Sequence, residues 1–491
     1  MSRSGTTLRA AMWAFAATAG TRIITLAGLA VLARLLAPRD FGLLAFALVY
    51  ITYAETIGDL GTTAALIYWK DRREDAAQAT FIINLAMGVF WALLTLALAP
   101  AIAAFFENPE AAPIIRTLAL AFLIKFAGNT HDALAQKDLR FRARAIPELG
   151  LALTKAGVSI ALAVAGFGVW SLVWGHLLGI AAWTLGAWLI VPWRPRLSVP
   201  RDLLVPMIGY GKGIVGVNLI AAVVHHADLV VVGRMIGSTA LGLYQIAYKI
   251  PEASVTVIIW VAAKVLFPAF SRLHGSGDDL RRAYLKALEY VSFVTVPMAA
   301  GLFVAARPLV LLLFGTKWEG AIPLLQWLAV YTGVRSIGSH AGDVLKATGR
   351  PALLAGLGVI KAAVLLPSLV FAARYGVEAV AMTLAIVTAF TSALNIAVVQ
   401  RILRFHARDV ALALRTSLTA GAALVVVGLP LARATADMSP IAQLPLLVAA
   451  CSVTYLLVAT LVDRSMVAGL FAALPFRRRG RQISASPEVE S

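Results

Sequence analysis

Six cationic side chains stand inside long apolar stretches of the sequence: Arg22, Lys125, Lys155, Lys249, Arg335 and Lys361. A Lys or Arg at the centre of a bilayer costs at least about 2.5–3.5 kcal/mol, so such residues indicate a function. Arg binds phosphate through two parallel hydrogen bonds and Lys acts as a point charge. The pattern therefore predicts a cationic cavity that binds an anionic substrate such as a pyrophosphate. The alternatives are local ion pairs with carboxylates and long side chains that snorkel to the surface.

Two carboxylates, Glu55 and Asp59, lie four residues apart and so share one face of a predicted helix. They could neutralise Arg22 on the neighbouring predicted helix. They could instead take up H⁺ or Na⁺ and couple transport to an ion gradient.

A third carboxylate, Asp228, follows His225 and His226 in another apolar stretch. Imidazole titrates near physiological pH, so a proton relay is one interpretation and packed, hydrogen-bonded histidines lining a wet cavity are the other. Lys249 has Glu252 three residues later, which favours a local ion pair as much as a cavity-facing role.

Catalytic and cofactor motifs do not accompany these charges. The sequence has no H-E-x-x-H, no P-loop and no G-x-S-x-G in a plausible setting. Its one cysteine, Cys451, allows neither a disulfide within the chain nor a cysteine metal site. We therefore expect no enzymatic activity, no metal and no cofactor.

The elements that must position these residues are long apolar helices. Charged residues make up 14% of the chain and apolar residues 60%, whereas a soluble domain carries about 25% charged residues. Runs of about twenty apolar residues, the length that a bilayer core requires, recur throughout, so we predict an all-α integral membrane protein with about fourteen transmembrane helices. The predicted spans are residues 10–33, 41–67, 77–103, 113–134, 147–166, 169–191, 207–232, 240–262, 287–306, 320–341, 351–373, 377–400, 410–431 and 441–462.

The positive charges predict the orientation of these helices. The net charge of +18 lies mainly in short loops, which argues against nucleic acid as a partner. With the N-terminus in the cytoplasm, the cytoplasmic segments hold about 27 of the 43 Lys and Arg residues and the outer segments about 8. This excess predicts that both termini are cytoplasmic. The first apolar run is long and is interrupted by Arg22, so we interpret it as a permanent helix rather than a signal peptide.

The sequence also resembles itself at an offset of about 200 residues. The matched positions are 33–36 with 233–236, Lys155 with Lys361, and Lys125 with Arg335. We therefore predict two pseudo-symmetric six-helix bundles, residues 1–200 and 201–405, followed by two additional helices in 406–462 and a basic, disordered tail in 463–491. Six is an even number, so both copies enter the membrane in the same direction. Transporters built from two parallel repeats bind the substrate between the halves and open alternately to each side of the membrane.

Several segments resemble a known family. Residues 34–43 (R-L-L-A-P-R-D-F-G-L) resemble the first hairpin of Wzx-type polysaccharide exporters, and residues 233–248 resemble its second-half counterpart. Residues 131–142, 267–272 and 313–318 are similar too. These exporters belong to the multidrug/oligosaccharidyl-lipid/polysaccharide (MOP) superfamily.

The resemblance implies a flippase for lipid-linked oligosaccharides with a MATE-like fold. It would move an undecaprenyl-pyrophosphate-linked unit across the bacterial inner membrane for O-antigen, capsule or exopolysaccharide synthesis. The implied partners are that substrate, membrane lipids and polysaccharide polymerase or other synthesis machinery. The family has no rigid motif for substrate binding, so the site residues named above depend on the argument from buried charge.

Three other functions stay open. A drug/cation antiporter of the same superfamily should carry more acidic than basic groups in its spans. A membrane-embedded polysaccharide polymerase or glycosyltransferase usually has a large extramembrane loop with catalytic residues, whereas the longest outer loops predicted here have about ten residues. A non-transporting scaffold would leave the buried cations without a role.

Overall fold

The computed structural model describes residues 20–69, 72–196, 200–273 and 275–473, and every regular element in these ranges is a helix. The helices are α1 (residues 20–35), α2 (Pro38–Gly58), α3 (Thr62–Tyr68), α4 (Arg73–Phe105), α5 (Ala111–Leu118), α6 (Leu120–Lys137), α7 (Phe141–Val164), α8 (Val169–Ile190), α9 (Arg201–Met235), α10 (Ser238–Pro251), a π-helical turn (Glu252–Thr256), α11 (Val257–Arg272), α12 (Gly277–Val304), α13 (Ala306–Leu313), a 3₁₀ turn (Thr316–Trp318), α14 (Ala321–Ser339), α15 (Ala341–Ala347), α16 (Pro351–Ala373), α17 (Val377–Leu403), α18 (Ala407–Ala434), α19 (Pro440–Val462) and α20 (Arg464–Ala473).

Eleven helical segments within the described ranges are long and apolar enough to cross a membrane, with α5–α6 and α10–α11 each forming one continuous segment. The prediction of an all-helical membrane protein is therefore confirmed. Three further predicted spans, 10–33, 207–232 and 320–341, overlap α1, α9 and α14. The count of about fourteen crossings stays a prediction.

The helices group into two compact units. Unit 1 contains Met1–Ala253, Leu309–Tyr331 and Arg350–Thr391, and unit 2 contains Ser254–Pro308, Thr332–Gly349 and Ser392–Ser491. These units follow packing, whereas the predicted bundles follow the sequence repeat, so the bundle boundaries are not tested by this division.

The predicted disordered tail needs a correction at its start. Residues 464–473 form α20, in which Met466 and Val467 are buried. Val467 packs with Leu447 and Tyr455 of α19, so apolar side chains hold this segment against the fold. Residues 474–491 lie outside the described residues.

A reciprocal glycine contact in unit 1 joins α2 and α10. A Cβ atom at Gly42 would lie 1.8 Å from the backbone oxygen of Ser238, and one at Gly242 would lie 1.9 Å from the backbone oxygen of Pro38. Glycine is required at both places because the helices approach so closely. Gly42 and Gly242 differ by 200 in residue number, and so do Pro38 and Ser238. The same contact is therefore made twice, with the two helices exchanged. A two-fold relation between two repeat copies produces such a contact.

The end of α1 packs on the connection between α13 and α14. The side chain of Trp318 is fully buried, its Nε1 donates to the carbonyl oxygen of Ala33 at 2.8 Å, and its ring meets Phe41 edge-on at 5.3 Å. The guanidinium of Arg34 donates to the carbonyl oxygen of Leu312 at 2.5 Å, at the C-terminal end of α13. Cationic donors are favourable at that end of a helix.

The matching end of α9 packs on the connection between α4 and α5. A Cβ at Gly233 would lie 2.9 Å from the ring of Phe46 and 3.1 Å from the ring of Phe106. Arg234 forms an ion pair with Glu107 at 2.6 Å. Each of the two predicted repeat copies therefore has its first hairpin packed on the connection between the predicted third and fourth spans of the other copy. All these connections were predicted to lie on the outer side.

Ion pairs join connections at the opposite end of unit 1. Arg73 pairs with Asp138 at 2.7 Å. Arg72 donates to Asp202, and this hydrogen bond holds the pKa of the Asp202 carboxyl below its ordinary value. Arg196 pairs with Glu74 at 2.9 Å. The segments that meet here were all predicted to be cytoplasmic, which supports the predicted alternation of sides.

Small polar residues hold unit 2 together. Ser292 on α12 lies 2.9 Å from Ser417 on α18 between their hydroxyl oxygens, and Thr295 lies 2.7 Å from Ser336 on α14. The hydroxyl of Tyr455 on α19 donates to the carbonyl oxygen of Phe293 at 2.8 Å. Helices in membranes associate through such close packing and interhelical hydrogen bonds.

We expect Trp318→Phe to lower the unfolding temperature of the purified protein. The change keeps an aromatic ring but removes the donor to the Ala33 carbonyl, and a buried acceptor left without its donor costs about 1–3 kcal/mol. The control is Trp327→Phe, since the Nε1 of Trp327 makes a longer hydrogen bond of 3.4 Å, to Glu378 at an exposed position. Equal unfolding temperatures for the two variants would contradict a stabilising role for the Trp318 hydrogen bond.

Candidate functional site

Five of the six predicted cations belong to unit 1, and Arg335, which is half-buried, belongs to unit 2. Arg22 has an exposed side chain on α1, and none of the described carboxylates lies at ion-pair distance from it. The other four, Lys125, Lys155, Lys249 and Lys361, lie on α6, α7, α10 and α16.

Lys125 forms an ion pair with Glu55 of α2. Its Nζ lies 2.6 Å from Glu55 Oε2, and the two side chains are 36% and 22% exposed. Neutralisation of Arg22 was one of the two interpretations of Glu55, and the structure pairs Glu55 with Lys125 instead. The long lysine side chain of α6 reaches Glu55 across 70 residues of sequence, a separation at which sequence spacing carries no information.

Asp59 has a local role rather than an ion pair with Arg22. Its Oδ1 accepts a hydrogen bond from the hydroxyl of Thr63 at 2.7 Å and one from the Thr63 backbone N–H at 3.3 Å. Leu60 and Gly61 have φ of 47° and 67°, which turns the chain so that Asp59 faces the first turn of α3. A carboxylate there is favoured by the unpaired N–H groups and the helix dipole.

Lys249 makes the local pair that its sequence neighbourhood allowed. Its Nζ lies 2.9 Å from Oε2 of Glu252, three residues later. Glu252 begins the π-helical turn Glu252–Thr256 directly after Pro251. Proline has no backbone N–H to continue the α-helical pattern, and π-helical turns are frequent at functional sites.

Lys155 has an imidazole as its described side-chain neighbour. Its Nζ lies 3.5 Å from Nδ1 of His176 on α8. Two glycines of α8 allow α7 to approach closely. A Cβ at Gly179 would lie 3.0 Å from Lys155 Cβ, and one at Gly175 would lie 2.9 Å from the Lys155 backbone oxygen. Among the described residues, no carboxylate lies at ion-pair distance from Lys155. Sequence reasoning missed His176, although the Gly-x-x-x-Gly spacing around it indicates a close helix contact.

Lys125, Lys155, Lys249 and His176 form one group, which we call the lysine cluster. Lys249 lies close enough to Lys155 for their charges to repel, and both Lys125 and Lys155 act electrostatically on His176. Lys125 and Lys249 each form an ion pair with a carboxylate, whereas Lys155 has no such partner in the described part of the chain. The lysine cluster therefore carries a positive charge centred on Lys155 that an anion could balance.

Asp228 on α9 is 4% exposed and lies in a separate polar group. It accepts hydrogen bonds from the Tyr244 hydroxyl at 2.8 Å and from the Leu229 N–H at 2.9 Å. Its charge is attracted by Lys361 of α16, a helix packed against α9. The ring of His226 lies 6.2 Å from that of Tyr53. The side chain that donates a hydrogen bond to Asp228 is thus that of Tyr244. A proton relay through His225 and His226 stays a prediction.

The long apolar helical segments of the described ranges define a multi-pass membrane protein, and its fold is shared with solved membrane-protein structures. The fold matches "Lipid II flippase MurJ, inward closed conformation" with a TM-score of 0.73 and 12% identity, covering 93% of this chain and 100% of that chain. It also matches an inward-facing multidrug resistance MATE family transporter of the MOP superfamily, with a TM-score of 0.59 and 17% identity, covering 80% and 94%. At these identities the likeness shows a shared fold.

Sequence similarity supplies the family. The family model described as "Polysaccharide biosynthesis protein" matches residues 31–323. Lipopolysaccharide biosynthesis protein WzxC of Escherichia coli (strain K12) is 30% identical over 376 residues, which are 75% of this chain and 76% of WzxC. Succinoglycan biosynthesis transport protein ExoT of Rhizobium meliloti (strain 1021) is 26% identical over 350 residues, 71% of each chain. The chain belongs to the polysaccharide biosynthesis protein family, and the resemblance to Wzx-type exporters is confirmed.

Proposed function

We propose that the protein is a flippase that moves an undecaprenyl-pyrophosphate-linked oligosaccharide from the cytoplasmic to the outer leaflet of the bacterial inner membrane. The product would supply O-antigen, capsule or exopolysaccharide synthesis. Membership of the polysaccharide biosynthesis protein family supports this proposal. The relatives are named for lipopolysaccharide biosynthesis and succinoglycan transport, and the fold is shared with a lipid II flippase.

The observation that carries the proposal is the unbalanced charge at Lys155. A pyrophosphate that leaves water loses its hydration, and the ammonium of the half-buried Lys155 offsets part of that cost. The side chains that contact the anion belong to the six predicted cations, and Lys155 is the first candidate among them. The prenyl chain stays in the lipid while the sugars and pyrophosphate occupy the polar interior.

The proposed mechanism is alternating access, in which the site opens first to the cytoplasm and then to the outside. Fourteen crossings with both termini in the cytoplasm belong to this proposal. Transfer of an anion toward the positive outside is favoured by about 2.3 kcal/mol per charge for each 100 mV of membrane potential. An ion gradient coupled through Glu55, Asp59 or Asp228 could add to this, and delivery to a polysaccharide polymerase would follow transport.

Leaflet exchange in liposomes tests the proposal. The purified full chain is reconstituted with a labelled prenyl-pyrophosphate sugar, and the label that becomes accessible at the opposite surface is measured under imposed potentials and pH gradients. We expect exchange that depends on the protein and is faster when the potential favours outward movement of the anion. Protein-free liposomes are the control, and no protein-dependent exchange under any gradient would contradict the proposal.

The drug/cation antiporter is the second candidate because its superfamily shares the fold. The same liposomes loaded with a cationic dye distinguish the two functions. Dye movement without exchange of the prenyl-pyrophosphate sugar would favour the antiporter. We expect the reverse, because the lysine cluster repels cations.

A further inference from the structure

Two equivalent arginines lie where the predicted repeat copies meet on the predicted outer side. Arg34 is the residue before the last of α1, and Arg234 is the residue before the last of α9. Arg34 donates to a carbonyl oxygen at the end of α13 in the second copy, and Arg234 binds Glu107, which follows α4 in the first copy. Each arginine therefore binds the copy to which it does not belong.

The two arginines bind different kinds of acceptor. Arg34 donates to the backbone carbonyl oxygens of Leu312 and Leu313, at 2.5 and 3.4 Å. Arg234 instead forms an ion pair with a side chain, and 2.6 Å separates its Nη1 from Oε1 of Glu107. The second contact therefore depends on a carboxylate that the first copy supplies.

Glu107 occupies a backbone position that favours glycine. Its φ is 51°, in the left-handed region that residues with a side chain rarely adopt. The matching residue of the second copy is Gly315, with a φ of 89°. Each of the two residues directly follows a buried phenylalanine, Phe106 or Phe314. A non-glycine residue kept in such a conformation indicates a role for its side chain, and the ion-pair partner of this carboxylate is Arg234.

The ion pair is exposed, and the apolar contact beside it is not. The side chains of Arg234 and Glu107 are 39% and 71% exposed. The guanidinium lies over the ring of Phe105 at 5.7 Å, and the neighbouring ring of Phe106, which is buried, stacks on Phe46 at 4.7 Å. Because an exposed ion pair is only weakly stabilising, its groups can separate into water and pair again.

We infer that Arg234 and Glu107 form a latch, an ion pair that holds the two repeat copies together on the outer side and separates each time that side opens. The inference rests on the proposed alternating access and on the predicted orientation of the helices. The contact of Arg34 with α13 closes the same side at the equivalent place, so both contacts separate when the outer side opens.

The labelling of a buried cysteine tests the latch. The reporter is Ala33→Cys in the background Cys451→Ser, because Ala33 is fully buried and its carbonyl oxygen accepts the hydrogen bond from Trp318. Ala33 belongs to the other first hairpin, so local loosening of Glu107 alone does not expose it. A membrane-impermeant maleimide is added to right-side-out vesicles that contain the full chain, and the rate of labelling is measured.

We expect Arg234→Glu to raise the rate of labelling at least about fivefold, because it replaces an attractive pair by two carboxylates that repel each other. The exchange of charges, Arg234→Glu with Glu107→Arg, should restore the rate to within about twofold of the reporter protein, since the attraction returns. A double variant that is labelled as fast as Arg234→Glu would overturn the latch.

Arg39→Glu is the matched control. Arg39 forms an ion pair of 2.8 Å with Glu110, and the two side chains are 56% and 59% exposed. This pair also lies on the predicted outer side, but both of its residues belong to the first copy. Its reversal should therefore leave the rate of labelling within about twofold of the reporter protein. An equal rise in Arg39→Glu and Arg234→Glu would overturn the latch.

Leaflet exchange by the wild type decides the proposed function separately. Exchange in liposomes together with labelling that Arg234→Glu does not change would overturn the latch and leave the proposed function standing. The expected labelling without any exchange of the prenyl-pyrophosphate sugar would overturn the proposed function and leave the latch between the repeat copies standing.

Discussion

Lys155→Met is expected to reduce leaflet exchange of the prenyl-pyrophosphate sugar in liposomes at least about tenfold, since one charge-assisted hydrogen bond contributes about 1.5–3 kcal/mol. The side chain is half-buried on α7, and its described polar neighbour is His176. Methionine keeps the length and most of the volume, so the packing of α7 on α8 is retained. The change therefore removes the charge that we propose balances the substrate, and little else.

The matched control for Lys155→Met is Lys286→Met. Lys286 is an exposed lysine on α12, and its ammonium lies over the ring of Tyr290 at 5.4 Å. It has no place in the proposed site, so exchange should stay within about twofold of the wild type. Equal rates for the two variants, at equal amounts of reconstituted protein, would remove Lys155 from the transport mechanism.

Hydropathy located the helices well but did not show where they break. The predicted span 41–67 is divided into α2 and α3 by Leu60 and Gly61, whose positive φ values end one helix and start the next. The predicted span 240–262 contains a π-helical turn after Pro251. Both breaks follow from one or two residues of backbone chemistry, and a window of about twenty residues averages such signals away.

The charges of the site could be read from the sequence, and their partners could not. An isolated cation in an apolar run is visible because its cost does not depend on the rest of the fold. The pairing of Lys125 with Glu55 depends on which helices are neighbours. His176 had no visible signal as a polar neighbour of Lys155, because one histidine in an apolar helix is compatible with many roles. Three-dimensional packing supplied that information.

Gly42→Ala is expected to cause the largest loss of stability of any single methyl addition in unit 1. The new Cβ would lie 1.8 Å from the backbone oxygen of Ser238, and a backbone atom cannot rotate away as a side chain can. The α2–α10 contact must then separate, at a cost above about 3 kcal/mol. The measurement is the unfolding temperature and the yield of monodisperse protein in detergent, for Gly42→Ala and for its counterpart Gly242→Ala.

Gly157→Ala is the control, since Gly157 lies inside α7 and a Cβ there would meet nothing within 4 Å. Alanine favours a helix over glycine by about 1 kcal/mol, so this variant should equal or exceed the wild type in stability. The double variant of Gly42 and Gly242 tests the reciprocal contact itself. Once one methyl has separated α2 from α10, the second should cost less, so the combined loss should be smaller than the sum. Strictly additive losses would mean that the two glycines act independently, and the two-fold contact between the repeat copies would have no energetic basis.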